Sequence, residues 1–266
     1  SGRASGRETA ARVAAGAVCA QLLARYGVTT RAAVLALGPH VMYQGPPDWE
    51  ALSGVRHDSP LVTPRPEDEE ELVEAVRATR REGETLGGVV GAVVRGVPPG
   101  LGSYAHWDRK LDGRLVQALV SIHSVKAAVV GAGLEVSGVR GSAAHDPITL
   151  TDHGLDRGAN RAGGLEGGVT NGADLVVRAF FKPISTLRRG LPSVDLETRA
   201  TAATEWERSD VTAIGAAPVI VQSMLALVLA DALLEKLGGD AVADLDRSWR
   251  SYTSRLEPWW FPATSE

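Results

Sequence analysis

Two stretches constrain this chain more than any others. Residues 6–25 and 214–237 read as long helices made mostly of Ala, Gly, Val and Leu. A helix with small residues on every face suits close packing against neighbours on several sides, not a position on a wet surface. The first opens on Ser5-Gly6-Arg7-Glu8, which fits a capping box: Ser5 takes a first-turn N–H and Glu8 reaches back. The second closes on Gly238-Gly239. Around them, residues 32–38, 85–97, 125–134 and 174–182 read as strands. Residues 66–81 read as a charged surface helix whose charge run is a solvated face, and residues 241–256 as a polar helix. Residues 108–121 form an amphipathic helix with Leu111, Leu115, Leu119 and Ile122 at helical spacing. Residues 43–66 make a long loop, and 258–266 a frayed end. The pattern is α+β or a layered sandwich in one domain over 1–266, with the two small-residue helices filling the middle layer.

The totals exclude several function classes. The chain has 266 residues, 44% of them apolar and 23% charged, with a formal charge of −4. That balance gives no basic stripe for nucleic acid. One cysteine, Cys19, leaves no room for an internal disulfide or a cysteine metal cluster, and its neighbours point to a buried, inert thiol. No metal-ligand spacing occurs among the six histidines, and no metal is expected. The apolar run 214–234 is interrupted by Pro218, Gln222 and Asp231, so no membrane span is expected. Without a secretory signal at the start, the expected location is cytoplasmic.

Four polar segments are candidates for chemistry. Residues 160–172, NRAGGLEGGVTNG, hold five glycines in thirteen positions. Such bare backbone serves either tight turns or close approach of N–H groups to a flat or anionic ligand. Arg3 and Arg7 flank a helix start, which makes an anion cradle or a plain cap with solvated arginines. Lys182-Pro183-Ile184-Ser185-Thr186 places a cation and two hydroxyls just past a strand, where an ordinary turn explains them as simply. Glu207-Arg208-Ser209-Asp210 precedes an apolar stretch and also fits a salt bridge with a cap. The residues by themselves imply an α/β protein that handles an anion.

These segments, together with GETLGGVV (83–90), GVPPGLGSYAHWDRKLDGRL (96–115), SIHSVK (121–126), LPSVDL (191–196), ERSDVTA (207–213) and ALVLADALLEKLGGD (226–240), occur in an order that resembles the chorismate synthases almost end to end. The resemblance implies a layered β-α-β sandwich of that type. It also implies anti 1,4-elimination of phosphate from 5-enolpyruvylshikimate 3-phosphate, with reduced FMN, NADPH as its possible reductant, and a homotetramer. By position it implies that Arg3, Ala4, Ser5, His123, Ser124 and Gly167 contact FMN. Lys182, Pro183, Ile184, Ser185 and Thr186 would wrap its phosphate or ribityl chain. Arg208 would face flavin and substrate, Arg7 would clamp a substrate anion, and Asp210 would act as proton acceptor or relay. A side chain at 167 would strike the flavin.

The chain also departs from the family pattern. The histidine-bearing GESHG- and RPGHAD-type segments and the arginines of that region are missing, and a GVEIGDGF-like run is replaced by AAVVGAGL at 127–134. On this reading the chain corresponds to the C-terminal two-thirds of the enzyme. Losing general acid–base groups costs ~10²–10⁴-fold each, so little turnover is expected from it alone. The alternatives are a truncated, non-catalytic paralogue that binds flavin or joins a complete subunit, and a structural remnant with empty loops.

Overall fold

The computed structural model describes residues 5–56, 58–151, 154–206, 210–257 and 259–260. In chain order α1 (Glu8–Ala24) is followed by β1 (Thr29–Leu37), β2 (His40–Val41), α2 (Glu69–Glu82), β3 (Gly88–Arg95), α3 (Leu111–Val120) and β4 (Val125–Val130). Next come the single turn α4 (Gly141–Ala144), the hairpins β5 (Ile148–Thr151)–β6 (Gly154–Arg157) and β7 (Leu165–Glu166)–β8 (Val169–Thr170), and β9 (Leu175–Phe181). A further hairpin, β10 (Pro192–Val194)–β11 (Thr201–Ala203), precedes α5 (Ala217–Leu237) and α6 (Val242–Ser254).

One antiparallel sheet, ordered β2-β1-β3-β9-β4, organises the rest. β1, β3 and β9 are rich in Val and Ala and buried on both faces, because each face has its own cover. On one side Val34, Val90, Ala92, Val94, Val177 and Ala179 meet α3 and α5. On the other, Ala33, Leu35, Val93 and Val176 meet Leu52, Tyr43, Trp49 and Val55 of the long loop. Leu111, Leu115 and Leu119 of α3 are fully buried, as their spacing predicts. α5 runs through the middle of the helical layer, touching α1, α3, α6, β1 and β3.

The layered α+β plan read from the sequence is the plan observed. α1 departs from expectation, since Gly16 and Leu23 are its buried residues while Val18 is 67% exposed. Its small residues matter at one crossing. A Cβ on Gly16 would fall 2.5 Å from the Ser223 Cα and 2.8 Å from the Ser223 carbonyl oxygen of α5. Among the described residues no second sheet covers the outer face of α1.

Several boundaries also differ. The strand expected over 125–134 stops at Val130 and gives way to a 3-10 turn, Gly133–Gly138. The end expected to fray is anchored in part: Trp260 Nε1 donates to Gly172 O at 3.2 Å, and Leu155 N donates to Trp259 O. Residues 214–237 are, against expectation, long and apolar enough to cross a membrane by length and composition, yet 56% of that window is buried in the core. Cys19 is half-buried, and burial pushes its thiol pKa up.

Candidate functional site

At one end of the sheet Leu37, Gly88, Phe181 and Val125 lie side by side. The loops leaving that end are joined by a ladder of hydrogen bonds. Lys182 N donates to Ser124 O at 2.8 Å, Thr85 Oγ1 to Ile184 O at 2.7 Å, and Leu86 N to Val211 O at 2.9 Å. Ser124 sits at φ 71°, a left-handed conformation that costs a non-glycine residue energy and turns the chain sharply after α3. Segments 58 to 125 residues apart in sequence are thus held in one cluster.

The start of α1 joins this cluster through side chains. Arg12 Nε grips both oxygens of Glu8 at 2.8 and 2.9 Å, and Arg12 Nη1 donates to Ser121 Oγ at 2.7 Å. Glu8 Oε2 is also 3.9 Å from His123 Nδ1. The expected capping box is therefore not formed. Glu8 turns to Arg12, because a two-point charge-assisted contact outweighs one neutral N–H. Ser5 Oγ accepts Arg7 N at 3.3 Å, one residue before the helix begins. The N–H groups of Glu8, Thr9 and Ala10 are taken by the carbonyls of Ser5, Gly6 and Arg7, so they are not the free donors that an anion cradle would need. Arg7 itself is exposed at the helix start. Arg3, Ala4 and Arg208 lie outside the described residues.

Beyond β9, Lys182, Pro183 and Ser185 are exposed, while Ile184 and Thr186 are half-buried. Thr186 and Asp210 line a common cavity of about 840 Å³, together with Thr85, Thr212, Arg77, Arg80, Arg188 and Trp206. The arginines of α2 and Arg188 were missed in the sequence. A charged helix signals exposure, and nothing in its spacing tells which exposed face will overhang a cavity.

Gly167 is placed elsewhere. The loop carrying it meets the start of α3, where Leu111 N donates to Gly168 O at 2.9 Å. His123 follows the other end of that helix, about 15 Å away for ten residues at 1.5 Å each. The opening choice for the glycine run resolves mainly as turns and packing. Asn160 Oδ1 accepts Gly164 N, and the Asp146 carboxylate, 1% exposed, accepts the N–H groups of Arg161 and Ala162. Gly167 adopts φ 63° with nothing within 4 Å of a built Cβ, so its left-handed backbone, not a crowding neighbour in this chain, is what favours glycine there.

A larger cavity of about 1010 Å³ opens at the opposite end of β1 and β3, between Arg31, Trp49, Arg95 and Gln222. The guanidinium carbons of Arg31 and Arg95 lie 4.1 and 4.8 Å from the Trp49 ring centroid. None of the described candidate residues line it.

The fold and this loop cluster define a layered α+β protein whose polar groups converge at one end of an antiparallel sheet. The family model for chorismate synthase matches residues 1–234, and the chain belongs to the chorismate synthase family. It is 48% identical to the chorismate synthase of Moorella thermoacetica over 96% of this chain and 66% of that protein. For the Aquifex aeolicus chorismate synthase the identity is 41%, again over 96% of this chain and 66% of the relative. A solved structure described as a crystal structure of chorismate synthase superimposes with a TM-score of 0.82 at 37% identity, covering 96% of this chain and 71% of that one. The chain thus spans just under two thirds of the length of these curated relatives.

Proposed function

We propose that this chain is the flavin-holding part of a chorismate synthase that takes phosphate from 5-enolpyruvylshikimate 3-phosphate. The observation that carries the reading is the ladder joining Ser124, Lys182, Ile184, Thr85, Leu86 and Val211. It gathers the family-like segments SIHSVK, KPIST, GETLGG and SDVTA at one sheet end.

The residues present fit a flavin mononucleotide. His123 Nδ1 is buried without a hydrogen-bond partner, and the Lys182 ammonium is exposed beside the same turn. A buried orphan nitrogen is costly and calls for a ligand or a shift toward Glu8. Bound reduced flavin would supply the electron density that lets an allylic phosphate and an unactivated hydrogen depart. His123 and Ser124 hold the ring side, Lys182 to Thr186 the phosphate and ribityl chain, and Arg7 a substrate anion. Asp210, exposed on the cavity wall, accepts the proton. Arg3, Ala4, Ser5 and Arg208 are assigned to flavin, and Arg208 also to substrate, by resemblance. Gly167 enters this reading only if a neighbouring copy supplies it, which the proposed homotetramer would allow. A cytoplasmic location and NADPH as reductant belong to the same reading.

The non-catalytic, flavin-binding reading has its own support, since His123 of the described cluster lies 3.9 Å from the Glu8 carboxylate and is not paired with the proposed proton acceptor Asp210. Anaerobic titration with reduced FMN, followed by assay of chorismate formation, separates the two. Binding with turnover, by this chain or once the histidine-bearing segment of a relative is joined to it, supports the enzyme, and binding with no turnover in either form supports the paralogue. No binding at millimolar FMN refutes both.

A further inference from the structure

We propose that α2 and the segment after β9 together form a phosphate-ester subsite, with Arg77, Arg80 and Arg188 as its cationic wall. The inference rests on the flavin reading above and adds residues which that reading does not assign. Three guanidinium groups line the same cavity of about 840 Å³ as the hydroxyl-bearing Thr85, Thr186 and Thr212. Arg80 has no ion-pair partner among the described residues. Arg77 reaches only the Glu74 carboxylate, at 3.6 Å, and Glu74 is already held at 2.7 Å by Arg81. Arg188 lies 5.9 Å over the Trp206 ring. Among the described residues the acidic groups on the wall are Glu84, which is occupied by Arg189 at 2.7 Å, and Asp210. The balance of unpaired charge is therefore positive. Guanidinium forks with the Thr212 hydroxyl, which the protein uses only as an acceptor from Ile214 N, match the donor demand of a dianionic phosphate, while the Thr85 proton stays with Ile184 O, and the Trp206 face offers a planar ring a place to stack. A helix carrying arginines toward its C-terminal end is ordinarily a solvated face. Here Val76 turns toward the same cavity, so this face of α2 is one of its walls.

A phosphate ester of this kind could be the flavin's or the substrate's. Calorimetric titration of the parent chain and of an R80Q/R188Q variant distinguishes them. The probes are inorganic phosphate, FMN, riboflavin and 5-enolpyruvylshikimate 3-phosphate, and R247Q, on the remote α6, controls for lost surface charge. The expected result is that FMN or the substrate ester binds the double variant on the order of tenfold more weakly or worse. Riboflavin affinity and the R247Q protein stay within twofold of the parent. Loss confined to FMN assigns the subsite to the flavin phosphate, and loss confined to the substrate ester assigns it to the substrate. The subsite is overturned if every phosphate ligand binds the double variant as it binds the parent, or if no phosphate-bearing probe binds the parent at millimolar concentration. Unchanged binding of both FMN and the substrate ester would leave the flavin reading standing while the subsite falls. Phosphate binding without FMN binding would do the reverse.

Discussion

Replacing Gly16 with alanine tests how tightly α1 is held against α5. In an exposed helix interior Gly→Ala stabilises by about 1 kcal/mol through propensity. At Gly16 the new methyl would lie 2.5 Å from the Ser223 Cα and 2.8 Å from the Ser223 carbonyl oxygen, both backbone atoms that cannot rotate away. The helices must therefore separate by about 1 Å, and overpacking of this kind costs ~1–3 kcal/mol. Gly113 supplies the reference. It is exposed on α3, and the atom nearest a built Cβ is the Trp107 carbonyl oxygen at an ordinary 3.9 Å. Gly113→Ala should gain about 0.5–1 kcal/mol. Urea denaturation of the two variants beside the parent isolates the packing term as the difference between them, about 1–3 kcal/mol in favour of Gly113→Ala. Because α1 also carries Glu8 toward His123, Gly16→Ala should weaken FMN binding as well. If Gly16→Ala proves as stable as Gly113→Ala, the crossing is looser than described and the argument fails.

Further outcomes are expected elsewhere. Thr170 is 3% exposed, its hydroxyl donating to Pro98 O and accepting Leu101 N, so Thr170→Val should cost ~2–3 kcal/mol by urea denaturation. Asp246 bonds Arg25 and Tyr26, which hold its carboxyl pKa down at about 2. A depressed acid pKa stabilises above its unfolded value and loses that contribution as pH falls through the folded value. The parent's thermal midpoint should accordingly fall between pH ~4 and ~2 more steeply than that of Asp246→Asn. Equal slopes would remove Asp246 from the account. Gly167→Val should lower flavin affinity in an oligomeric fraction from gel filtration and leave a monomeric fraction unchanged. The same loss in both would place the loop beside the flavin of its own chain.

The parts of the fold legible in the sequence are those with strong local signals. Leu111, Leu115 and Leu119 announce the buried face of α3, and the Val- and Ala-rich runs announce β1, β3 and β9. The hairpins at 148–157 and 192–203 gave no such signal, because residues such as Ile148, Leu150, Leu155 and Val194 are exposed and burial does not enforce alternation there. The polar segments of the site could be listed from the sequence, but their meeting could not. Leu86 N and Val211 O, or Lys182 N and Ser124 O, are peptide atoms that every residue carries. Arg80 was hidden for a related reason, since an exposed cation on a helix looks the same beside a cavity as beside water. The glycine run misled in a different way. Its glycines answer to Asp146, Asn160 and their own left-handed backbone before they answer to any ligand.

The contacts that bind Ser124 to Lys182 and Leu86 to Val211 use only main-chain atoms. Side chains along these loops are in consequence free to vary without unstitching the frame that presents them. Evolution could retune what is recognised at this sheet end, or silence its chemistry altogether, and still inherit the same scaffold.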